Sequence, residues 1–253
     1  ILGIVAHRSS TIVFIINFPF LSANPAVSIT LHGVTDALKP EFAKYADALK
    51  AGEAAFIDAE KLFADFETKE GWKKTDFLPS FPISRRSTGL ERNEEMMSRF
   101  SNTVPNSPLR VQGIEALFSW NPTISFSDII VPLTDNADIV HYGNNDILVI
   151  KGREFLTVRL YRQTPSGFIM ASRSIDLQEV TVKSGKIRAN ATLGASQFRQ
   201  NPSSPRSTLC DVVLLVDLKG DLPKKMVEQS MPAVLALLIE QNIKHFKELV
   251  RYS

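Results

Sequence analysis

Apolar positions recur at helical spacing along residues 222–250, where Met226, Met231, Val234, Leu235, Leu238, Phe246 and Leu249 line up as one stripe. That periodicity predicts a long amphipathic helix. Pro223 suits its first turn, where no backbone N–H is needed, and Pro232 predicts a kink. Lys244, Lys247 and Arg251 fall where the helix dipole is negative. Residues 38–70 carry the same period through Phe42, Tyr45, Leu49, Phe56, Leu62, Phe63 and Phe66, with Gly52 a candidate break and Gly71 a C-terminal cap. Residues 75–108 are polar and interrupted by Pro79, Pro82, Pro105 and Pro108, so Arg85, Arg86, Arg92 and Glu94 read as solvated loop charges. A short helix is suggested over 109–118. From Ile124 the period drops to two, or to short apolar runs, predicting strands over 124–133, 147–150, 155–162, 168–175, 185–193 and 209–217. Short turn-like sequences separate them, which implies an antiparallel meander. A helix, a sheet and a long terminal helix make the fold α+β.

Composition adds limits. The chain has 253 residues, 44% hydrophobic and 22% charged, as in an ordinary globular protein. A net charge of +2 with dispersed basic residues argues against a nucleic-acid partner. The single cysteine, Cys210, precludes an internal disulfide, leans towards a reducing compartment and reads as a buried, inert thiol. Residues 11–21 are strongly apolar but contain Pro19 and fall short of the roughly 20 residues that cross a membrane. We therefore divide the chain into a leader or linker over 1–37 and one folded domain over 38–253. Catalytic signatures are missing: there is no nucleophile elbow, P-loop or dinucleotide fingerprint. His7, His32, His141 and His245 lack metal-ligand spacing, and His141 reads as a core or rim residue. The expectation is no enzyme, no metal and no cofactor.

The strand over 155–162 is the most informative. Leu156, Val158 and Leu160 share one face; Phe155, Thr157, Arg159 and Tyr161 share the other. An arginine among aromatics must reach solvent, pair with a carboxylate or meet a polar ligand group.

Several motifs then recur in order: Ala51-Gly52-Glu53-Ala54, Glu70-Gly71-Trp72-Lys73-Lys74, Trp120-Asn121-Pro122, Arg153-Glu154-Phe155 with Val158-Arg159, Ile187-Arg188-Ala189, and Asp217-Leu218-Lys219-Gly220 before Leu222-Pro223-Lys224. From about Tyr45 to the C-terminus this set resembles the START family of lipid-transfer domains, nearest the branch of steroidogenic acute regulatory protein and its late-endosomal MENTAL-domain relative. The resemblance implies a helix-grip fold, a curved antiparallel sheet wrapped around the C-terminal helix. It also implies a tunnel for one lipid: a sterol such as cholesterol, or in some relatives a carotenoid. The protein would be a monomer making transient contact with membranes, cytoplasmic and peripheral to mitochondrial or late-endosomal ones. Arg159 corresponds to a buried cavity arginine, with Thr157 and Tyr161 beside it. Met231, Leu238 and Phe246 correspond to cavity-facing helix positions and Asn242 to a position that is usually apolar; Trp120 reads as a packing residue, with the cavity border as its alternative place. The acidic partner of that arginine would fall near Tyr142, which is not acidic, so Asp138, Asp146 or Asp211 would have to supply it. Turns at 143–146 and 201–205 are candidate lid loops. Between residues 100 and 120 the chain is shorter than the family pattern, which suggests a missing strand. A helix-grip enzyme acting on an apolar substrate, such as a thioesterase or cyclase, would instead need two converging titratable groups.

Overall fold

A computed structural model describes residues 27–68, 73–75, 83–87, 96–105, 121–146, 150–203, 207–223, 226–227, 237, 240–241 and 244–245. The chain enters through a hairpin of β1 (Ser28–Leu31) and β2 (Val34–Ala37). Its two-residue turn puts His32 at φ 50° and Gly33 at φ 74°, the left-handed pair that matches the twist of the strands. A 3₁₀ turn over Pro40–Tyr45 leads into α1 (Ala46–Thr68). Among the described residues ten strands follow: β3 (Lys73–Thr75), β4 (Ile83–Ser87), β5 (Met96–Pro105), β6 (Ile124–Thr134), β7 (Ala137–Asn144), β8 (Arg153–Thr164), β9 (Gly167–Ser174), β10 (Ile187–Arg188), β11 (Asn190–Gln200) and β12 (Ser207–Asp217). Nine lie in the order β3-β4-β5-β12-β11-β9-β8-β7-β6, and β10 adds a short parallel pairing to β8. Every pairing along the main path is antiparallel.

The two faces of the sheet have different covers. Leu49, Ala55, Phe56, Ala59 and Phe63 of α1 pack on Leu156, Val158 and Leu160 of β8, with Ile139, Ala171, Ala195 and Val213 from the flanking strands. Gly52 does not break α1. A Cβ there would lie 3.2 Å from Val158 Cγ2, so glycine serves the close approach of helix to sheet. On the opposite face Phe155, Ala189, Ala191 and Val216 form a second cluster, joined by Tyr142, Leu218 and Val227. Residues 226, 227, 237, 240, 241, 244 and 245 are helical, so the terminal helix begins against this second face. The architecture is the helix-grip α+β fold.

Four expectations change. Residues 27–37, assigned to a leader or linker, form the hairpin, with Ile29 and Leu38 in the core. Residues 83–87 and 96–105, read as loop, are strands, and Arg85 and Arg86 sit in β4. Strand β7 over 137–144 was missed, while the strand expected at 147–150 is a single bridge at Ile150 among its described residues. The strand expected over 185–193 lies later, as β11. The helix expected at 109–118, Arg92 and Glu94 fall outside the described residues, as does most of the stretch suspected of lacking a strand.

Candidate functional site

Strand alternation and register assemble a polar group on the sheet face that carries the terminal helix. β7 and β8 pair so that Asp138 lies directly opposite Arg159, on the face shared with Phe155, Thr157 and Tyr161. Arg159 is 3% exposed and Asp138 4%. The guanidinium donates from Nε to Oδ1 at 2.8 Å and from Nη2 to Oδ2 at 2.6 Å, a bidentate pair. Tyr161 adds a short hydrogen bond from its hydroxyl to Oδ2, and its ring lies 5.8 Å from the guanidinium carbon. Burial pulls the Arg159 pKa down, but the hydrogen bonds and charge of Asp138 outweigh it and hold the group above its ordinary value. The guanidinium therefore keeps its charge inside the protein.

Apart from the Thr157 hydroxyl, the polar groups that flank it on β9 are already occupied, and the rest of its surroundings is apolar. Tyr142 stacks on Phe155 with ring centroids 5.3 Å apart. Removal from water pushes its hydroxyl up to about 12, against the pull of Arg159. Val140 is opposite Thr157 on β7, and Ser174 and Ser172 are opposite Thr157 and Arg159 on β9. Ser172 donates to the Gly194 carbonyl at 3.1 Å, and Ser174 accepts the Ala191 N–H at 2.8 Å.

Of the three acids offered as partners for Arg159, Asp138 has the place. Asp146 accepts the Gly152 N–H at 2.6 Å, and Asp211 pairs with Arg199. Tyr142 is on the same face two steps along β7, opposite Phe155, not in the acid's position. The Asp135-Asn136 turn between β6 and β7 was the overlooked signal, since a two-residue polar turn between apolar runs marks a hairpin. Thr157, Arg159, Tyr161 and Tyr142 thus come together; Trp120, Met231, Leu238, Asn242 and Phe246 lie outside the described residues.

Among the described residues, further ionic clusters sit on the α1 side of the sheet. Glu154 accepts from Arg188 Nε at 2.8 Å and from the Lys183 N–H at 2.9 Å, with His141 Nε2 3.2 Å away. His141 also meets Phe126 edge to face. Burial raises the Glu154 pKa, yet these donors outweigh it and leave it below its ordinary value. Asp36 of the hairpin pairs with Arg162 and accepts from Thr134 and Asn136. Both clusters tie loops to the sheet. Among the described residues no group of His, Cys, Asp and Glu could hold a metal ion. Cys210 is buried, and burial pushes its thiol up to about 12, so it is inert. No helix among the described residues is long and apolar enough to cross a membrane.

Comparison with known proteins gives consistent results. The START domain family model matches residues 58–251. Steroidogenic acute regulatory-like protein 1 of Caenorhabditis elegans is 37% identical over 88% of this chain and 88% of its own. The mitochondrial steroidogenic acute regulatory protein of Bos taurus is 25% identical over 72% of this chain, which spans 64% of that relative's length. Among solved structures, human StAR-related lipid transfer protein 5 superposes with a TM-score of 0.69 at 19% identity, covering 81% of this chain and 99% of the other.

Proposed function

The chain belongs to the START domain family of lipid-transfer domains, and from that premise we propose that it is a non-enzymatic carrier holding one sterol between the sheet and the terminal helix. One observation carries the reading: a buried Arg159–Asp138 ion pair on the face that the start of the terminal helix meets, next to the stacked rings of Phe155 and Tyr142. A sterol is almost entirely hydrocarbon with one hydroxyl, so its site needs an apolar wall and few polar groups. Burying its skeleton is favourable by about 25 cal/mol per Å².

A buried ion pair is a poor device for stability alone, because desolvation offsets most of its attraction. As the polar end of a lipid site it has a use. Tyr161 and Asp138 fix the guanidinium, and a fixed donor orients a ligand hydroxyl without reorganising. By the family resemblance Met231, Leu238, Asn242 and Phe246 complete the wall, and Trp120 is placed at its border by our reading of the sequence. By the same resemblance the terminal helix and the turns that follow β7 and β11 act as the lid that must move for exchange; Gly143 and Asn144, expected in the first of these turns, are the end of β7 itself. Transfer requires transient contact with membranes, and the relatives' names favour mitochondrial ones.

An enzymatic reading is less well supported. Both Asp138 oxygens are engaged by donors, and the Tyr142 hydroxyl is pushed up to about 12, so neither is a ready proton acceptor. The test is extraction of labelled cholesterol from liposomes by the purified protein. The expected result is uptake of about one sterol per chain, as one cavity requires. No uptake overturns the sterol assignment, and a coloured protein from its natural source would give the site to a carotenoid.

A further inference from the structure

Thr157 is wholly buried, 0% exposed, yet its hydroxyl has no hydrogen-bond partner among the described residues. Buried hydroxyls in folded proteins nearly always have one, because an unmatched polar group loses its hydration for nothing. Its neighbours explain why the protein supplies none. Val140, opposite on β7, offers only hydrocarbon. Ser174, opposite on β9, is engaged with the Ala191 N–H. Along β8 the same face carries Phe155 on one side and Arg159 on the other, each about 7 Å away at the rise of a strand. Packing does not ask for a hydroxyl here, since valine has the same branched shape.

The location gives the hydroxyl a purpose. It stands one step along the strand from Arg159, on the face that the terminal helix meets through Val227. Asp138 has given Oδ1 to Arg159 Nε and Oδ2 to both Arg159 Nη2 and Tyr161. Most of its capacity to accept is used within the protein. A hydroxyl such as that of Thr157 both donates and accepts, which matches an alcohol on a ligand.

We propose that Thr157 Oγ1 is a ligand contact that selects a lipid bearing a hydroxyl over the same skeleton without one. This rests on the carrier reading above and deepens it. The ligand class is an apolar lipid alcohol whose oxygen sits between Thr157 and the Arg159–Asp138 pair. A site built to bond a hydroxyl rejects the analogue lacking it, because its own polar group is then left unmatched.

The experiment compares the full chain with Thr157→Val and Thr157→Ser, measuring binding of cholesterol and of its deoxy analogue cholestene, with thermal unfolding of each unliganded protein. Thr157→Val should lose about tenfold in affinity for cholesterol, the worth of one hydrogen bond. Its affinity for cholestene should not fall, and its unliganded melting temperature should hold or rise, since an unmatched hydroxyl has gone. Thr157→Ser should retain the preference for cholesterol. Equal changes for the two ligands, or none for either, would show that the hydroxyl does not read the ligand and would overturn the assignment while leaving the carrier reading intact. Wild-type protein that binds neither ligand overturns the sterol-carrier reading and this assignment with it.

Discussion

Asp138 and Arg159 are each useful only because of the other. Removing one partner of a buried pair strands an uncompensated charge, which costs about 3–5 kcal/mol. Asp138→Ala should therefore lower the unfolding free energy by about that much in urea titration. The double variant Asp138→Leu with Arg159→Met should recover most of the loss and still fail to take up sterol, separating the pair's structural burden from its service to the ligand. Glu154 makes a different kind of prediction. Burial pushes its carboxyl up, but the Lys183 N–H, Arg188 and His141 outweigh burial and hold the folded value below the ordinary one. A carboxyl depressed in the folded state stabilises fully above its unfolded value, and that contribution vanishes as the pH falls through the folded value. Stability measured against pH should thus fall below about pH 4, and Glu154→Gln should flatten that acid limb; an unchanged limb would assign it to other carboxylates, Asp36 first. At this scale the sequence was half legible. Arg159 stands out because a charge interrupts a strand whose other face is plainly core. Asp138 does not, because its partnership exists only through register.

At the scale of elements, the strands that reason well from sequence are those with one clean apolar face. β8, β9 and β12 alternate or run apolar, and each was located within a few residues. β7 was not, since Asp138, His141, Tyr142 and Gly143 interrupt its apolar positions. Asp138 and His141 belong to the Arg159 group and the Glu154 cluster, so the lack of pattern in this strand comes from the buried polar contacts it makes. β4 and β5 were hidden by their own polarity in a proline-rich stretch. The junction before the terminal helix shows how elements are coupled. Arg153, buried at the start of β8, donates to the carbonyls of Leu218 and Lys219 at 2.9 Å each and to that of Lys151 at 2.6 Å. Lys219 and Gly220 both take the left-handed conformation, at φ 51° and 76°, which only glycine adopts freely. Arg153 therefore holds the turn from which the helix departs. Arg153→Leu should speed amide hydrogen exchange over 218–227 by about tenfold, the effect of losing one hydrogen bond's worth of local stability. Unchanged exchange would mean that the Asp217–Lys219 contact suffices to hold the turn.

For the whole molecule, the sheet is a partition. α1 and the N-terminal hairpin fill one side with close-packed side chains, while the other side carries the ionic group, two stacked rings and the start of the terminal helix. The hairpin belongs to the rigid side. Its Asp36 meets Arg162 across 126 positions of sequence, a contact that no local pattern could reveal. What was legible at this scale was the long terminal helix and the ordered set of motifs around it. The central claim is that an apolar ligand lies on the partitioned side, beside Arg159. The most direct measurement is photolabelling with a sterol that carries a diazirine, followed by mapping of the modified peptides. The account predicts label on β8 around Phe155 and Tyr161 and on residues 226–245, lost when unlabelled cholesterol competes. Label confined to α1 and the hairpin, or label that cholesterol does not displace, would contradict it.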